Sequence, residues 1–341
     1  KRTNNSFNHQ DIIIGPGSKQ LMFLLQLGFE GEFIFPKGSW VSYEPQAIIA
    51  KNKVHWIETF REDNWFPKSK EIEKVIKNIK NKNIILFLNS PNNPTGAVCK
   101  NLKEIAETAK KNKIIILSDE IYSDLQFDGK YDSISKYYPD GTIISSGLSK
   151  WCGAGGWRLG VALLPQELTE QIKPCLVGIG SETYSCVTCA IQEAAVIAYQ
   201  NTPEIQHYLA HQRRILALAG NYVYSQLMQH GVDVHAPQGG FYVNPDFTPF
   251  QTKLAQKGVT DSETLCTQLL AQTGVVLLPG PAFGYNKNQL VARLAFVDFD
   301  GKQALLASEK IGLEQQLDHQ FLNNNMTKVV KGIDKLVEWL A

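Results

Sequence analysis

The chain has 341 residues, room for two domains or one large domain with a satellite, and its 43% hydrophobic and 20% charged content excludes disordered, collagenous and coiled-coil classes. Lysine and arginine total 34 against 33 aspartate and glutamate, a formal charge of +1, which leaves no electrostatic footprint for nucleic acid and no polybasic patch for a membrane surface. Apolar runs such as 84–88 and 114–117 are far shorter than the roughly 20 residues of a membrane span, and six scattered cysteines point to a reducing, cytoplasmic setting rather than a disulfide framework. The first residue is Lys1 rather than Met, so the sequence says nothing of a targeting signal.

In chain order, Gly15-Pro16-Gly17-Ser18-Lys19-Gln20 followed by the apolar stretch 21–27 reads as a glycine-rich turn opening a helix. Ile72, Val75, Ile76 and Ile79 keep helical spacing, with Ser69 as N-cap. A strand is predicted over 84–88. Asn101 and Glu104 read as the capping pair of a helix whose core side is Leu102, Ile105, Ala106 and Ala109. Further strands fall at 114–117, 143–144 and 161–164. Strand–helix alternation of this kind predicts an α/β fold, a mostly parallel sheet with helices on both faces. Residues 202–230 read as one long helix. Beyond it, short strands at 232–234, 241–243, 275–278 and 291–296 mix with a helix over 262–272. A final helix places Val330, Ile333, Val337 and Leu340 on one face, and the whole reads as a smaller α+β domain. The expected division is a large domain over 1–205, a connecting helix over 206–230 and a small C-terminal domain over 231–341.

In open parallel sheets ligands sit beyond the carboxyl ends of the strands, so the residues after each apolar run are the ones to read. They are Asn89-Ser90-Pro91-Asn92-Asn93-Pro94-Thr95-Gly96, then Ser118-Asp119-Glu120-Ile121-Tyr122, then Ser145-Ser146-Gly147-Leu148-Ser149-Lys150 and Trp157-Arg158-Leu159-Gly160. Amide, carboxylate, phenol, amine and guanidinium converge on one rim. The turn at 15–20 offers free backbone N–H groups and the positive end of a helix dipole, which suit a phosphate. It is neither a dinucleotide fingerprint, because Gln20 stands where a third glycine is needed, nor a P-loop. A phosphate cradle with these groups on one sheet edge meets the requirements of a pyridoxal phosphate site: a lysine for the Schiff base, an acid for the pyridine nitrogen, a phenol and an amide for the phenolic oxygen, and an arginine for the substrate carboxylate.

The strings S-P-N-N-P-T-G (90–96), S-D-E-I-Y (118–122), S-x-L-S-K (146–150) and G-G-W-R-L-G (155–160) resemble, in order and spacing, the class I/II aminotransferases, the fold type I group of pyridoxal phosphate enzymes. The resemblance runs from about residue 13 to 299. It implies that Lys150 forms the Schiff base and shuttles the proton, that Asp119 pairs with the pyridinium, and that Tyr122 and Asn93 bond the phenolic oxygen. It places Gly17, Ser18 and Lys19 in the phosphate turn, Arg158 near the phosphate, Trp40 stacked on the ring, and Arg293 on the substrate α-carboxylate, with Asn93 and Trp40 also lining the substrate. Two departures stand out. Family members carry a longer segment before the phosphate turn, supplying a substrate-covering stretch and a tyrosine that reaches the neighbouring subunit's phosphate, and neither can be assigned here. Gly147 stands where some subfamilies use a phosphate-binding serine, leaving Ser146 or Ser149 as substitutes.

The implied activity moves an amino group from an L-amino acid, aspartate or an aromatic one, to a 2-oxo acid, 2-oxoglutarate foremost. A homodimer with sites at the interface is implied too, with neither nucleic acid nor membrane as partner. The alternatives on the same scaffold are a lyase or synthase and a sensory domain that binds the cofactor without turnover. Lys19 stands as either a contact for a distal substrate carboxylate or a neighbour of the phosphate. No metal is expected. Cys186-x-x-Cys189 is a lone pair in an apolar stretch and reads as buried structural thiols. His207 and His211 are a possible metal pair on the long helix, but no H-E-x-x-H acid completes them and a solvated face is the simpler reading.

Overall fold

The apolar runs become the strands of a buried sheet. The computed structural model describes residues 7–81 and 83–341. In chain order the first part carries β1 (Ile12–Gly15), α1 (Ser18–Gly28), β2 (Glu32–Pro36), α2 (Tyr43–Ile49), β3 (Lys53–Ile57), α3 (Ser69–Ile76), β4 (Ile84–Asn89), α4 (Leu102–Lys111), β5 (Ile115–Asp119), β6 (Thr142–Gly147), β7 (Gly160–Leu163), α5 (Gln166–Ser181) and α6 (Cys189–Ala198). Among the described residues these strands form one seven-stranded sheet in the order β1-β7-β6-β5-β4-β2-β3. β3, β2, β4, β5 and β6 run parallel; β7 is antiparallel to both β6 and β1. The predicted mostly parallel α/β sheet is therefore present.

Side chains alternate across a strand, and one face of this sheet carries Phe33, Phe35, Ile85, Phe87, Leu117, Ile143 and Ala162. These pack with Leu21, Leu24 and Leu25 of α1, Tyr43 and Ala47 of α2 and Leu176 of α5. Phe87 sits at the centre of an aromatic cluster, with ring centroids 5.8 Å from Phe33, 5.0 Å from Phe35 and 4.9 Å from Tyr43. Helices α3 and α4 pack against each other, α3 against β3 and α4 against β5. Their caps differ from expectation. Lys68, not Ser69, is the residue before α3, and the Ser69 amide donates to the Glu104 carboxylate at 2.8 Å. Asn101 Nδ2 donates to the Pro67 carbonyl at 3.0 Å. The two residues expected to cap α4 thus tie down the start of α3, because the α3–α4 packing brings its orphan N–H groups within reach.

The chain divides into two compact units. The first comprises 1–90, 99–124 and 130–205; the second comprises 91–98, 125–129 and 206–341. The second unit contains nearly all of α7 (Pro203–Gln229, 27 residues), then β8 (Tyr242–Val243), α8 (Gln251–Gln256), α9 (Ser262–Thr273), β9 (Leu278–Pro279), β10 (Ala292–Ala295), α10 (Gly301–Ile311), α11 (His319–Asn325) and α12 (Thr327–Leu340). Its antiparallel sheet has the order β8-β10-β9. Residues 232–234 contribute only a single bridge, Asp233 to Asp246, instead of a strand. The buried side of α12 is Val329, Ile333, Leu336 and Leu340, with Trp339, whereas Val330 and Val337 are half-buried on its flank. Trp339 Nε1 donates to Gln272 Oε1 of α9 at 2.7 Å, and this contact fixes the rotation of the helix.

Phe87→Ala removes the ring that Phe33, Phe35 and Tyr43 share. It should cost about 3–5 kcal/mol, the usual price of emptying a core phenylalanine, seen as a lower urea midpoint; an unchanged midpoint would show that the cluster contributes nothing.

Candidate active site

Toward their carboxyl ends the three central strands carry polar residues that continue apolar columns. On β4 the column Ile85, Phe87 reaches Asn89; on β5 Leu117 leads to Asp119; on β6 Ile143 leads to Ser145. Asn89, Asp119 and Ser145 lie side by side in register. Strand alternation thus aims a carboxylate, an amide and a hydroxyl from the core face of the sheet at its carboxyl edge.

Asp119 is buried, and desolvation pushes its carboxyl up to about 6. Three groups pull the other way: the Tyr43 hydroxyl, which donates to Oδ2 at 2.7 Å; the Ile121 amide, which donates to Oδ1 at 3.3 Å; and the charge of Lys150. Burial and then the Asp119 charge hold the Tyr43 phenol well above its usual value, so it remains a donor. Asn89 Nδ2 donates to the Asp119 carbonyl at 2.9 Å. Lys150 Nζ lies 5.8 Å from the centre of the buried Tyr122 ring. Asp119, Tyr122 and Lys150 therefore lie together in the first unit. Ser145 Oγ is buried without a hydrogen-bond partner.

The turn at 15–20 leads from β1 into α1. Arg158 Nη2 donates to the Pro16 carbonyl at 2.9 Å and Nη1 to the Gly155 carbonyl at 2.7 Å, which holds the guanidinium against Gly17. Opposite, Gly160 of β7 is pressed so close to the turn that a Cβ there would fall 2.2 Å from the Ser18 nitrogen. Only glycine lets the turn lie on the strand. Ser18 and Lys19 begin α1, whose first N–H groups have no intrahelical partner. Lys19 is exposed, with Nζ 5.0 Å from the centre of the Trp40 ring, and Trp40 meets Tyr43 edge-on at 5.5 Å. Ser146 and Ser149 are both half-buried.

Asn93 and Arg293 belong to the second unit. Arg293, on β10, donates from Nη1 to Asn93 Oδ1 at 3.1 Å. Its guanidinium carbon lies 4.4 Å from the Tyr242 ring centre and 5.3 Å from that of Phe283, and its Nε is buried without a partner. A guanidinium fixed between two rings keeps a fork of donors for a carboxylate.

Two expectations need correcting. Cys186 and Cys189 are exposed free thiols at the entry to α6 rather than buried ones, because the segment buries Val187 and Ala195 and turns the two thiols outward with Val196 and Ile197. His207 is exposed as expected, but His211 is buried at 1% exposure by contacts with α10. Sequence reasoning gave no role to Tyr43, Asn89 or Ser145. Tyr43 follows Trp40 by three residues, and the other two prolong strand columns by the period of two. Those spacings were the available signal.

A doubly wound sheet with this edge and a separate α+β unit is the architecture of the fold type I transferases. Residues 2–298 match the family model "Aminotransferase class I and II", and the chain belongs to that family: it is an aminotransferase. It is 33% identical over 296 residues to an asparagine–oxo-acid transaminase of Streptococcus mutans, covering 83% of this chain and 71% of that protein. An aromatic-amino-acid aminotransferase of Thermococcus litoralis is 32% identical over 281 residues, covering 80% and 68%. Among solved structures, the aromatic aminotransferase of Pyrococcus horikoshii matches with a TM-score of 0.80 at 25% identity over 100% of this chain and 82% of that one. The Thermus thermophilus aspartate aminotransferase with maleate matches at 0.76 and 26% identity over 92% and 78%.

The folded Asp119 carboxyl titrates at about 6 against an ordinary value of 3.8. Its penalty on folding is therefore absent below pH 3.8, grows as pH rises to about 6 and is constant above, reaching about 3 kcal/mol. In ligand-free protein, Asp119→Asn should gain stability over the wild type along that pH course in denaturant titrations. A difference independent of pH would contradict it.

Proposed function

We propose that this aminotransferase uses pyridoxal 5′-phosphate and moves the amino group of aspartate or an aromatic amino acid to 2-oxoglutarate. The observation that carries the reading is Asp119. A buried carboxylate raised to about 6 costs stability in the bare chain, and a cationic ring nitrogen facing it would remove that cost. The unpartnered Ser145 hydroxyl beside it and the Gly160-backed turn fit the same group, one as a spare polar contact, the other as a phosphate cradle. Gly17, Ser18, Lys19 and Arg158 would hold the phosphate, with Ser149 near it; Asn93 and Tyr122 would hold the phenolic oxygen and Trp40 the ring face. When bound, the cofactor supplies an aldehyde that captures the amine and a ring that takes up the electron pair of the α-carbon.

The protein's own part is positioning and proton movement. Asp119 keeps positive charge at the ring nitrogen, stabilisation placed where electron density develops. Tyr43 holds that carboxylate in its anionic form and fixed orientation. Lys150 takes the α-proton at Nζ and delivers it again, as general base and then acid. Arg293, steadied by Asn93, grips the α-carboxylate. The donor classes rest on the relatives, whose names are those of aspartate, aromatic and asparagine aminotransferases; none of these favours a lyase or a sensory role.

The first unit exposes Ile14, Leu27, Ile48, Ile49, Val177, Val196 and Ile197, apolar surface suited to a second copy of the chain. We assign the protein to a cytoplasmic homodimer, a compartment in keeping with its free cysteines. Light scattering should return twice the chain mass; a monomer at micromolar concentration would refute the dimer.

A donor panel with 2-oxoglutarate should show turnover with aspartate or aromatic amino acids, and Lys150→Ala should lower it by at least about 10²–10⁴-fold while leaving the fold intact by circular dichroism. Turnover confined to other donors, or a fully active variant, would overturn the assignment.

A further inference from the structure

The chemistry above uses neither His207 nor His211. They stand one turn apart on α7, with their Nε2 atoms facing each other at 3.1 Å and ring centres 4.5 Å apart. Such a separation serves either a proton shared by the two nitrogens or two lone pairs meeting on one cation. With the zinc–imidazole bond length of about 2.0–2.1 Å, nitrogens 3.1 Å apart subtend roughly 98° at a metal, between the octahedral and tetrahedral angles. The arrangement is braced from behind. His211 is buried, and its Nδ1 is 2.7 Å from Ser308 Oγ on α10, itself fully buried. Arg214 fixes that serine, donating from Nε to its Oγ at 2.8 Å and from Nη2 to its carbonyl at 3.0 Å. A hydrogen-bonded partner on the far ring nitrogen is what orients a ligating histidine and sets its tautomer. His207 is exposed, so the pair is open to solvent on one side.

We infer that His207 and His211 form a two-imidazole site for a borderline divalent cation of the zinc class. On binding, the proton between the two Nε2 atoms is given up to solvent and one is taken up at a ring Nδ1, so that both imidazoles stay neutral with their protons on Nδ1, and the His211 Nδ1–H donates to Ser308 Oγ. Among the described residues no cluster of three His, Cys, Asp or Glu side chains exists, so water fills the remaining positions and the metal is held more loosely than in a closed structural site. Two charges of opposite sign act on His211: Arg214, which disfavours a cation, and Glu309, which favours one.

The test is equilibrium dialysis of the chelator-treated holoprotein against zinc ion, with metal counted per chain. His207→Gln changes an exposed side chain and should remove one bound zinc per chain. In the wild type, zinc should also move the imidazole ¹⁵N resonances of both histidines. A variant that binds as much zinc as the wild type, or resonances that stay in place, would show that the two rings merely share a proton. Neither result bears on the amino-transfer reading, which the donor panel decides separately.

Discussion

The structure is organised around one carboxylate that the fold does not neutralise. Asp119 ends a strand whose preceding inward residue, Leu117, belongs to the main core, so its side chain has no route to water. The protein answers with local donors, the Tyr43 hydroxyl and the Ile121 amide, and with the charge of Lys150, yet desolvation still prevails. A core site could have carried an apolar residue at lower cost. A carboxylate kept there against its own solvation free energy is suited to receive a cation, and the neighbouring lysine and tyrosine give that cation a chemical setting. Tyr43 also connects this charge to the aromatic cluster, since its ring packs on Phe87 while its hydroxyl holds Asp119. The scaffold that stabilises the sheet thus fixes the orientation of the acid.

A second constraint acts at the edge of the same sheet. Gly15, Gly160 and Gly147 face one another across β1, β7 and β6 in register. This row of bare backbone leaves room for the turn into α1, with Arg158 closing its other side. An anion placed there would meet N–H groups and a guanidinium instead of side-chain bulk. The close fit depends on absent Cβ atoms, which makes it sensitive to any substitution at Gly160 in a way that surface charge alone would not be.

Much of this was legible in the sequence because the signals are local. The apolar runs over 84–88 and 114–117 announced β4 and β5, and the polar strings after them announced the edge. What was not legible depended on tertiary contacts. Asn101 and Glu104 have the spacing of a capping pair, but α4 packs beside α3 and their polar atoms serve the neighbouring helix instead. Periodicity alone puts the stripe of α12 about one position off, at Val330 and Val337, because it does not foresee that Trp339, hydrogen-bonded to Gln272, turns inward with Val329 and Leu336. Tyr43 escaped notice because a tyrosine in an aromatic-rich segment looks like packing, and only its partner 76 residues away gives the hydroxyl a purpose.

The division of the chain bears on how the amide at 93 works. Residues 91–98 follow β4 directly, yet they belong to the second unit. Within that unit the Gln238 and Gly239 amides donate to the Gly96 carbonyl, and the Val98 amide donates to Gln238 Oε1. The loop carrying Asn93 is therefore docked on the same body as β10, so the Asn93–Arg293 hydrogen bond is an internal property of that body. The Asn93–Arg293 pair and the charged cluster around Asp119 therefore belong to different compact units of the chain. The hydrogen bond between Arg293 and Asn93 shares no residue with those that hold Asp119, so a substitution in the one set leaves the other set's own donors and acceptors in place.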